Sequence, residues 1–235
     1  MENKESFQNR IRPYFSPTDQ LDIKLAYVLA KFGHRAQFRK EEVNGKPLRY
    51  FEHVRRTAII LMDDMKIMDR DMIITCLLHD AIEDTQDLTP ELLEHSFGKD
   101  VATMVQLLSK NPKEGYHDRL KNCNNWKVLA IKACDRLDNL HSLITFGTTV
   151  EFQKKQINDT KEHYFELFDK LLRLCPEAHI VNVRFIRDEI RRLVERYSAI
   201  IEVQELQVKS PDEGRCPTCN SYPRRASCPI KCDEI

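Results

Sequence analysis

Four residues stand where an ordinary helical core has no use for them. His79 and Asp80 fall at the end of the apolar run MIITCLLHDAI, and Asp135 sits inside WKVLAIKACDRLDNLHSLITF. A carboxylate buried unpaired in such surroundings costs several kcal/mol, so it is normally neutralised, paired or bound to a metal. Adjacent His and Asp at a helix end can offer an imidazole nitrogen and a carboxylate oxygen to one ion. His53 and Asp135, from neighbouring helices, complete a four-ligand set with positions left for water and phosphate. Mixed nitrogen and oxygen donors suit Mn²⁺, Fe²⁺ or Zn²⁺ better than Ca²⁺. Singly, each residue has a plainer explanation, a hydrogen-bonded core histidine or an Asp135–Arg136 ion pair. The order His, His-Asp, Asp on separate helices argues for the metal.

Glu83 and Asp84 lie three and four residues beyond Asp80. A helix continuing through them places both about one turn further along, near the ligand face; the plainer account is helix-end polarity. A separate group, Cys216, Cys219, Cys228 and Cys232, crowds the end of the chain as C-x2-C, eight residues, C-x3-C, with a proline after the first cysteine of each pair. That pattern resembles a small zinc-binding knuckle, with Zn²⁺ as its ion, although the spacing is not a standard one. The competing account is a tail of incidental or redox-active thiols. Cys76, Cys123, Cys134 and Cys175 are scattered and read as small buried hydrophobes.

The elements that position these residues are helical by pattern. A loose lead occupies 1–17. Thr18 or Asp19 caps a helix to about Phe38, with Leu21, Leu25, Val28, Leu29 and Phe32 on one face. RKEEVNGKPLRY is a polar loop turned at Asn44-Gly45 and Pro47. Helices follow at about 49–65, carrying His53, and 69–84, apolar nearly all round and therefore central. A short helix is bounded by Thr89-Pro90 and Gly98, and another runs over 100–108. A polar connection leads to the helix 126–146, and two amphipathic helices cover 151–174 and 177–207. The composition changes at about Lys209. The expected organisation is a lead (1–17), an all-α domain (18–207) and a linker with a Cys-rich tail (208–235).

Whole-chain properties narrow the function. Over 235 residues, Lys+Arg and Asp+Glu balance at 37 each, so no global basic field exists to hold nucleic acid. No apolar stretch approaches the roughly 20 residues a bilayer requires, and the first residues lack a secretory pattern. The expected location is the cytoplasm, and the expected partner a small molecule rather than a membrane or nucleic acid.

H…HD…D is the signature of HD-domain phosphohydrolases, and its surroundings narrow the resemblance. GHRAQFRKEEVNGKPLRYFEHV, CLLHDAIEDT and IKACDRLDNLHSL resemble successive motifs of the RelA/SpoT-type alarmone hydrolases, as do FGKDVATMVQLLSK between them and DTKEHY beyond. The resemblance spans about residues 20–170 and implies an HD-domain helical bundle. It implies Mn²⁺-dependent hydrolysis of the 3′-pyrophosphate of ppGpp and pppGpp to GDP or GTP. His53, His79, Asp80 and Asp135 then resemble the metal ligands, and Glu83 and Asp84 the pair beside the attacked phosphorus. Arg39 and Lys40 match the basic pair near guanine and phosphates; the plainer account is a solvated charge pair. Asn139 and Ser142 match nucleoside contacts, and Tyr164 a residue that stacks or bonds nearby. The length suits a stand-alone small alarmone hydrolase without a synthetase domain. Val54 replaces the usual proline, and Asp138 and His141 replace residues commonly aromatic or His, and Arg. Those changes put the base in doubt more than the reaction. Two other readings stay open: an HD hydrolase acting on another phosphorylated or cyclic nucleotide, and a non-enzymatic nucleotide-binding module.

Overall fold

A computed structural model describes residues 3–145 and 147–209. The Cys-rich tail, with Cys216, Cys219, Cys228 and Cys232, lies outside them. In chain order the elements are α1 (Lys4–Ile11), α2 (Pro17–Gly33), strands β1 (Phe38–Val43) and β2 (Lys46–Arg49), α3 (Phe51–Ile59), α4 (Arg70–Leu78), α5 (Ala81–Asp84), α6 (Pro90–Phe97), α7 (Lys99–Leu108), α8 (Tyr116–Asn122), α9 (Trp126–His141), α10 (Val150–Asp159), α11 (Phe165–Leu174) and α12 (Ile180–Lys209). Wider π-helical turns extend α3 (Ile60–Asp64) and join α10 to α11 (Thr160–Tyr164). The chain is mostly helical, as expected.

The two apolar-all-round segments occupy the centre. Every residue of α4 from Met72 to Leu78 is buried, and α9 is buried at nearly every position from Val128 to Asp138. Helix α9 packs against α3, α4, α7, α11 and α12. Its polar residues Lys132, Asp135, Arg136 and Asp138 are therefore forced to find partners inside the protein. Asp69 caps α4 by accepting from the Met72 amide at 3.0 Å, and Asn125 caps α9 through Lys127. Thr89, Pro90 and Gly98 bound α6 as the sequence indicates.

Several expectations need correcting. The lead is ordered from Asn3: a reciprocal Asn3–Ser6 cap starts α1, and Phe7 and Ile11 are buried, with the Phe7 ring 5.2 Å from Tyr27. Helix α2 is capped by Ser16, with Pro17 at its first position. Its buried face is Ile23, Ala26, Tyr27 and Ala30, whereas Leu21, Leu25, Val28 and Phe32 are exposed. The polar loop is an antiparallel hairpin, because Asn44 and Gly45 both take positive φ (54° and 72°), the pair of left-handed residues that a tight hairpin turn needs. Helix α8 lies within the segment expected to be a plain connection. The helix expected over 69–84 breaks at His79-Asp80, and the one expected over 126–146 ends at His141.

Gly147 ties the hairpin to the end of α9. Its φ is +94°, and a Cβ there would run into the Lys40 backbone carbonyl. Gly147→Ala therefore carries both strain and a backbone clash, and is expected to cost on the order of 1–3 kcal/mol. Thermal denaturation of the variant checks this; an unchanged melting temperature would show that hairpin and loop are not pressed together.

Candidate active site

The break after α4 sets up the site. The Cys76 carbonyl, freed where the helix ends, accepts a hydrogen bond from His79 Nδ1 at 2.8 Å. That donation fixes the neutral tautomer with a lone pair on Nε2. His53, on the first turn of α3, is set the same way: its Nδ1 donates to Asp138 Oδ2 at 2.7 Å. Its Nε2 stands 3.2 Å from Asp135 Oδ1 and 3.6 Å from Asp80 Oδ2. His79 Nε2 lies 3.0 Å from Asp80 Oδ2 and 3.7 Å from Asp135 Oδ1. Donors bound at roughly 2.0–2.2 Å to one ion stand about 3–4.2 Å apart, so all four separations suit a shared centre.

Two further observations test the fit. His79 Nε2 is buried and makes no hydrogen bond, although Asp80 Oδ2 lies 3.0 Å away. Asp80 and Asp135 are both buried. Burial opposes their ionisation. For Asp80, His79 outweighs that cost; for Asp135, Lys132 does so first and then the two histidines, so both carboxylates are held below the usual range. The same carboxylates outweigh burial at His79 and raise its pKa. The centre thus calls for positive charge, which a divalent ion supplies in place of a proton. Two imidazoles and two carboxylates form a donor set suited to a transition metal.

A shell of polar and charged partners surrounds these four. Lys132 Nζ donates to Asp135 Oδ2 at 2.7 Å and Asn139 Nδ2 to Oδ1 at 2.6 Å. Tyr50 donates to Asp80 Oδ2 at 2.7 Å; burial first, and then the Asp80 charge, raises the phenol pKa and keeps it a donor. Asp138 is clasped by Arg56, with Nε to Oδ1 at 2.6 Å, and Arg56 in turn forks onto Glu41 at 3.0 and 3.1 Å. Burial opposes the Asp138 charge, but His53 and Arg56 win and lower its pKa to about 2.

The cluster opens into a cavity of about 370 Å³ between the hairpin, α9 and α10. Arg39, Lys40, Asn139 and Ser142 all line it. Arg39 donates to Asn139 Oδ1 at 2.9 Å and Ser142 Oγ at 3.0 Å, while the Lys40 ammonium lies 3.9 Å from the centre of the Phe152 ring. Lys110, Lys132 and Arg136 also face the cavity; from the sequence Arg136 is named only as a partner for Asp135 and the two lysines not at all, although Lys132 and Arg136 flank Asp135 on an apolar helix and are findable by the same misplaced-charge argument.

Other residues lie elsewhere. Tyr164 is buried and does not line the cavity; its ring backs Arg136, 4.1 Å from the guanidinium carbon. Glu83 and Asp84, adjacent on α5, have different partners. Glu83 Oε2 accepts from the Lys110 amide at 3.0 Å, while Asp84 sits against Tyr50 and Asp80. Burial, then the charges of Asp80 and Glu83, raises the Asp84 pKa to about 6. The departures at 54, 138 and 141 lie off the cavity wall. Val54 and Asp138 are buried and His141 is exposed, and none lines the cavity.

The chain is similar to known proteins over most of its length. A pattern described as HD domain matches residues 26–173. The chain is 32% identical over 190 residues to a guanosine-3′,5′-bis(diphosphate) 3′-pyrophosphohydrolase of Aquifex aeolicus, covering 77% of this chain and 24% of the relative. It is 30% identical over 219 residues to the bifunctional (p)ppGpp synthase/hydrolase SpoT of Escherichia coli, covering 85% and 28%. The chain therefore spans about a quarter of the length of the curated relatives it matches. A solved structure, described as a metazoan ortholog of SpoT that hydrolyzes ppGpp, superposes with a TM-score of 0.59 at 29% identity, over 76% of this chain and 96% of that one. With the His, His-Asp, Asp cluster gathered on three neighbouring segments and the pattern matched across more than half its length, this chain belongs to the HD-domain family.

Proposed function

We propose that the chain is a metal-dependent pyrophosphohydrolase that cleaves the 3′-pyrophosphate of guanosine alarmones, taking ppGpp or pppGpp to GDP or GTP and pyrophosphate. The observation that carries the reading is the unpartnered His79 Nε2 facing two buried carboxylates beside a cavity lined by five cationic side chains. Relatives named for this reaction, including a solved chain matched over 96% of its length, support the substrate.

His53, His79, Asp80 and Asp135 would hold one divalent ion, with Mn²⁺ as the ion proposed. Bound there, the ion supplies Lewis acidity, lowering the pKa of a water and polarising a phosphoryl oxygen. The chain's own groups do the rest. Tyr50, Lys132 and Asn139 orient the carboxylates, and Cys76 O and Asp138 fix the imidazole tautomers. Arg39, Lys40, Lys110, Lys132 and Arg136 offset phosphate charge on the cavity wall. Asn139 and Ser142, held by Arg39, present polar atoms for the nucleoside. Asp84, its pKa pushed up to about 6, would exchange the proton of the water or of the leaving oxygen.

The cytoplasm suits this chemistry, since the four described cysteines are free; among the described residues no helix is long and apolar enough to cross a membrane. We assign residues 18–207 to catalysis, with α1 packed onto them, and the tail beyond to a Zn²⁺ knuckle dispensable for turnover. Incubating metal-replete protein with a panel of phosphorylated and cyclic nucleotides, with products identified by mass, tests the substrate. GDP and pyrophosphate from ppGpp are expected. Inertness toward ppGpp with turnover of another nucleotide would overturn the alarmone assignment and keep the HD chemistry.

Asp138 gives a separate prediction. A carboxylate behind a ligating imidazole raises its basicity and fixes its ring, and losing such a partner typically costs about 10–100-fold in metal affinity. Asp138→Asn is expected to weaken Mn²⁺ binding on that scale with unchanged helical content, read by calorimetric titration. Wild-type affinity would reduce Asp138 to an anchor for Arg56.

A further inference from the structure

We infer that His117, Asp159 and His163 form a second transition-metal site at the rim of the cavity, with a donor set of two imidazoles and one carboxylate suited to Zn²⁺-class ions. One ligand atom from each lies within 4.8 Å of the others. The three come from different places. His117 is on α8, Asp159 ends α10, and His163 is in the π-helical turn that follows. That turn is what the sequence supplies to make the site. Asp159 and His163 are four residues apart, a spacing that keeps two side chains on one helix face, and wider turns of this kind are common at functional sites.

The local bonding leaves donors free. Arg136 occupies Asp159 Oδ2 at 2.9 Å, so Oδ1 is turned toward His117 Nε2, 3.7 Å away. A carboxylate with one oxygen anchored and the other available is how ligating carboxylates are usually held. The imidazoles of His117 and His163 stack with centroids 3.7 Å apart, and His163 Nδ1 is buried without a hydrogen-bond partner. Packing alone does not call for two imidazoles here, since an apolar ring would fill the same space without stranding a nitrogen. To share an ion the donors must draw in to roughly 3.4 Å, given Zn–N bonds of about 2.0–2.1 Å. All three side chains are 23–35% exposed, which leaves the rings room to turn and an ion a route in. Three protein ligands leave a fourth position open. Asp159 lines the cavity beside Arg136 and Gln156, so an ion there adds positive charge where a phosphate enters.

The test is titration of the full-length protein with Co²⁺, counting tight equivalents and following the visible spectrum. His117→Ala and His163→Ala are each expected to lose one equivalent without changing any thiolate-to-cobalt charge-transfer absorption, which would mark ions held by the cysteines. His79→Ala should lose a different equivalent, and His79→Ala/His163→Ala both, so failure of the HD site and failure of this one are told apart. His163→Phe keeps the ring stack and removes the donor, and it too should lose the equivalent with its circular dichroism intact. Undiminished stoichiometry and affinity in His117→Ala and His163→Phe would overturn the inference.

Discussion

His79→Ala is expected to abolish turnover and empty the HD metal site while the helices stay in place. The His79 side chain is buried, but its work is local: one ring nitrogen satisfies the Cys76 carbonyl and the other faces Asp80 and Asp135. Removing the ring leaves two buried carboxylates with one imidazole between them, so the ion loses a donor and Asp80 loses the partner that most offsets its burial. Cys76 O sits at a helix end, where water can replace the lost bond. Metal binding also reads out as stability. Free ion at 100 times its dissociation constant stabilises the native state by about 2.7 kcal/mol. In a protein of this size that corresponds to a rise of roughly 5–10 °C in melting temperature. Wild-type protein should show that rise on Mn²⁺ addition and lose it on chelation, and His79→Ala should show neither. Full activity in exhaustively chelated wild-type protein, with no metal detected, would remove the ion from the mechanism.

The centre of the molecule was legible because its signal is a contradiction. Segments apolar enough to be α4 and α9 cannot carry His79, Asp80 and Asp135 without partners, and burial puts those residues together. The same logic reaches Lys132, Arg136 and Asp138, whose burial follows from their places on α9. What stayed hidden was pairing. Nothing in the order of residues says that Asp138 turns to His53 and Arg56, or that Tyr164 backs Arg136 instead of lining the cavity. Those choices depend on how α3, α9 and the turn after α10 sit together. Periodicity misled at α2, where Leu21, Leu25, Val28 and Phe32 make the more conspicuous stripe and yet face outward, while Ala26 and Ala30 allow close approach to α4. The hairpin was readable from Asn44-Gly45, but its charged strands lack the apolar alternation that marks a strand.

Asp84→Asn is expected to lower kcat by about 10²–10⁴-fold with metal occupancy unchanged, and Glu83→Gln to lower it less. Residues adjacent in sequence usually share an environment, but neighbours on a helix point about 100° apart, and on α5 these two meet different partners. The Glu83 carboxylate is committed to the Lys110 amide at 3.0 Å, with the Lys110 ammonium 3.6 Å from its other oxygen. The Glu83→Gln variant keeps an oxygen for that amide, so its chief loss is the ion pair with the Lys110 ammonium. Asp84 is pressed against Tyr50 and Asp80, and burial with those neighbouring charges brings its pKa up to about 6. A carboxyl titrating there is protonated often enough to donate and ionised often enough to accept, the condition for efficient general acid–base catalysis. Because the folded pKa lies above the usual carboxylate value, the proton is bound more tightly in the native state. Asp84 therefore favours folding fully at pH below about 4, and that contribution is lost as pH rises through 6. In the pH profile of kcat, Asp84→Asn should erase a limb that Glu83→Gln preserves. Equal losses in the two variants, with the limb present in both, would return the proton transfer to another group and leave Asp84 as polarity at the end of α5.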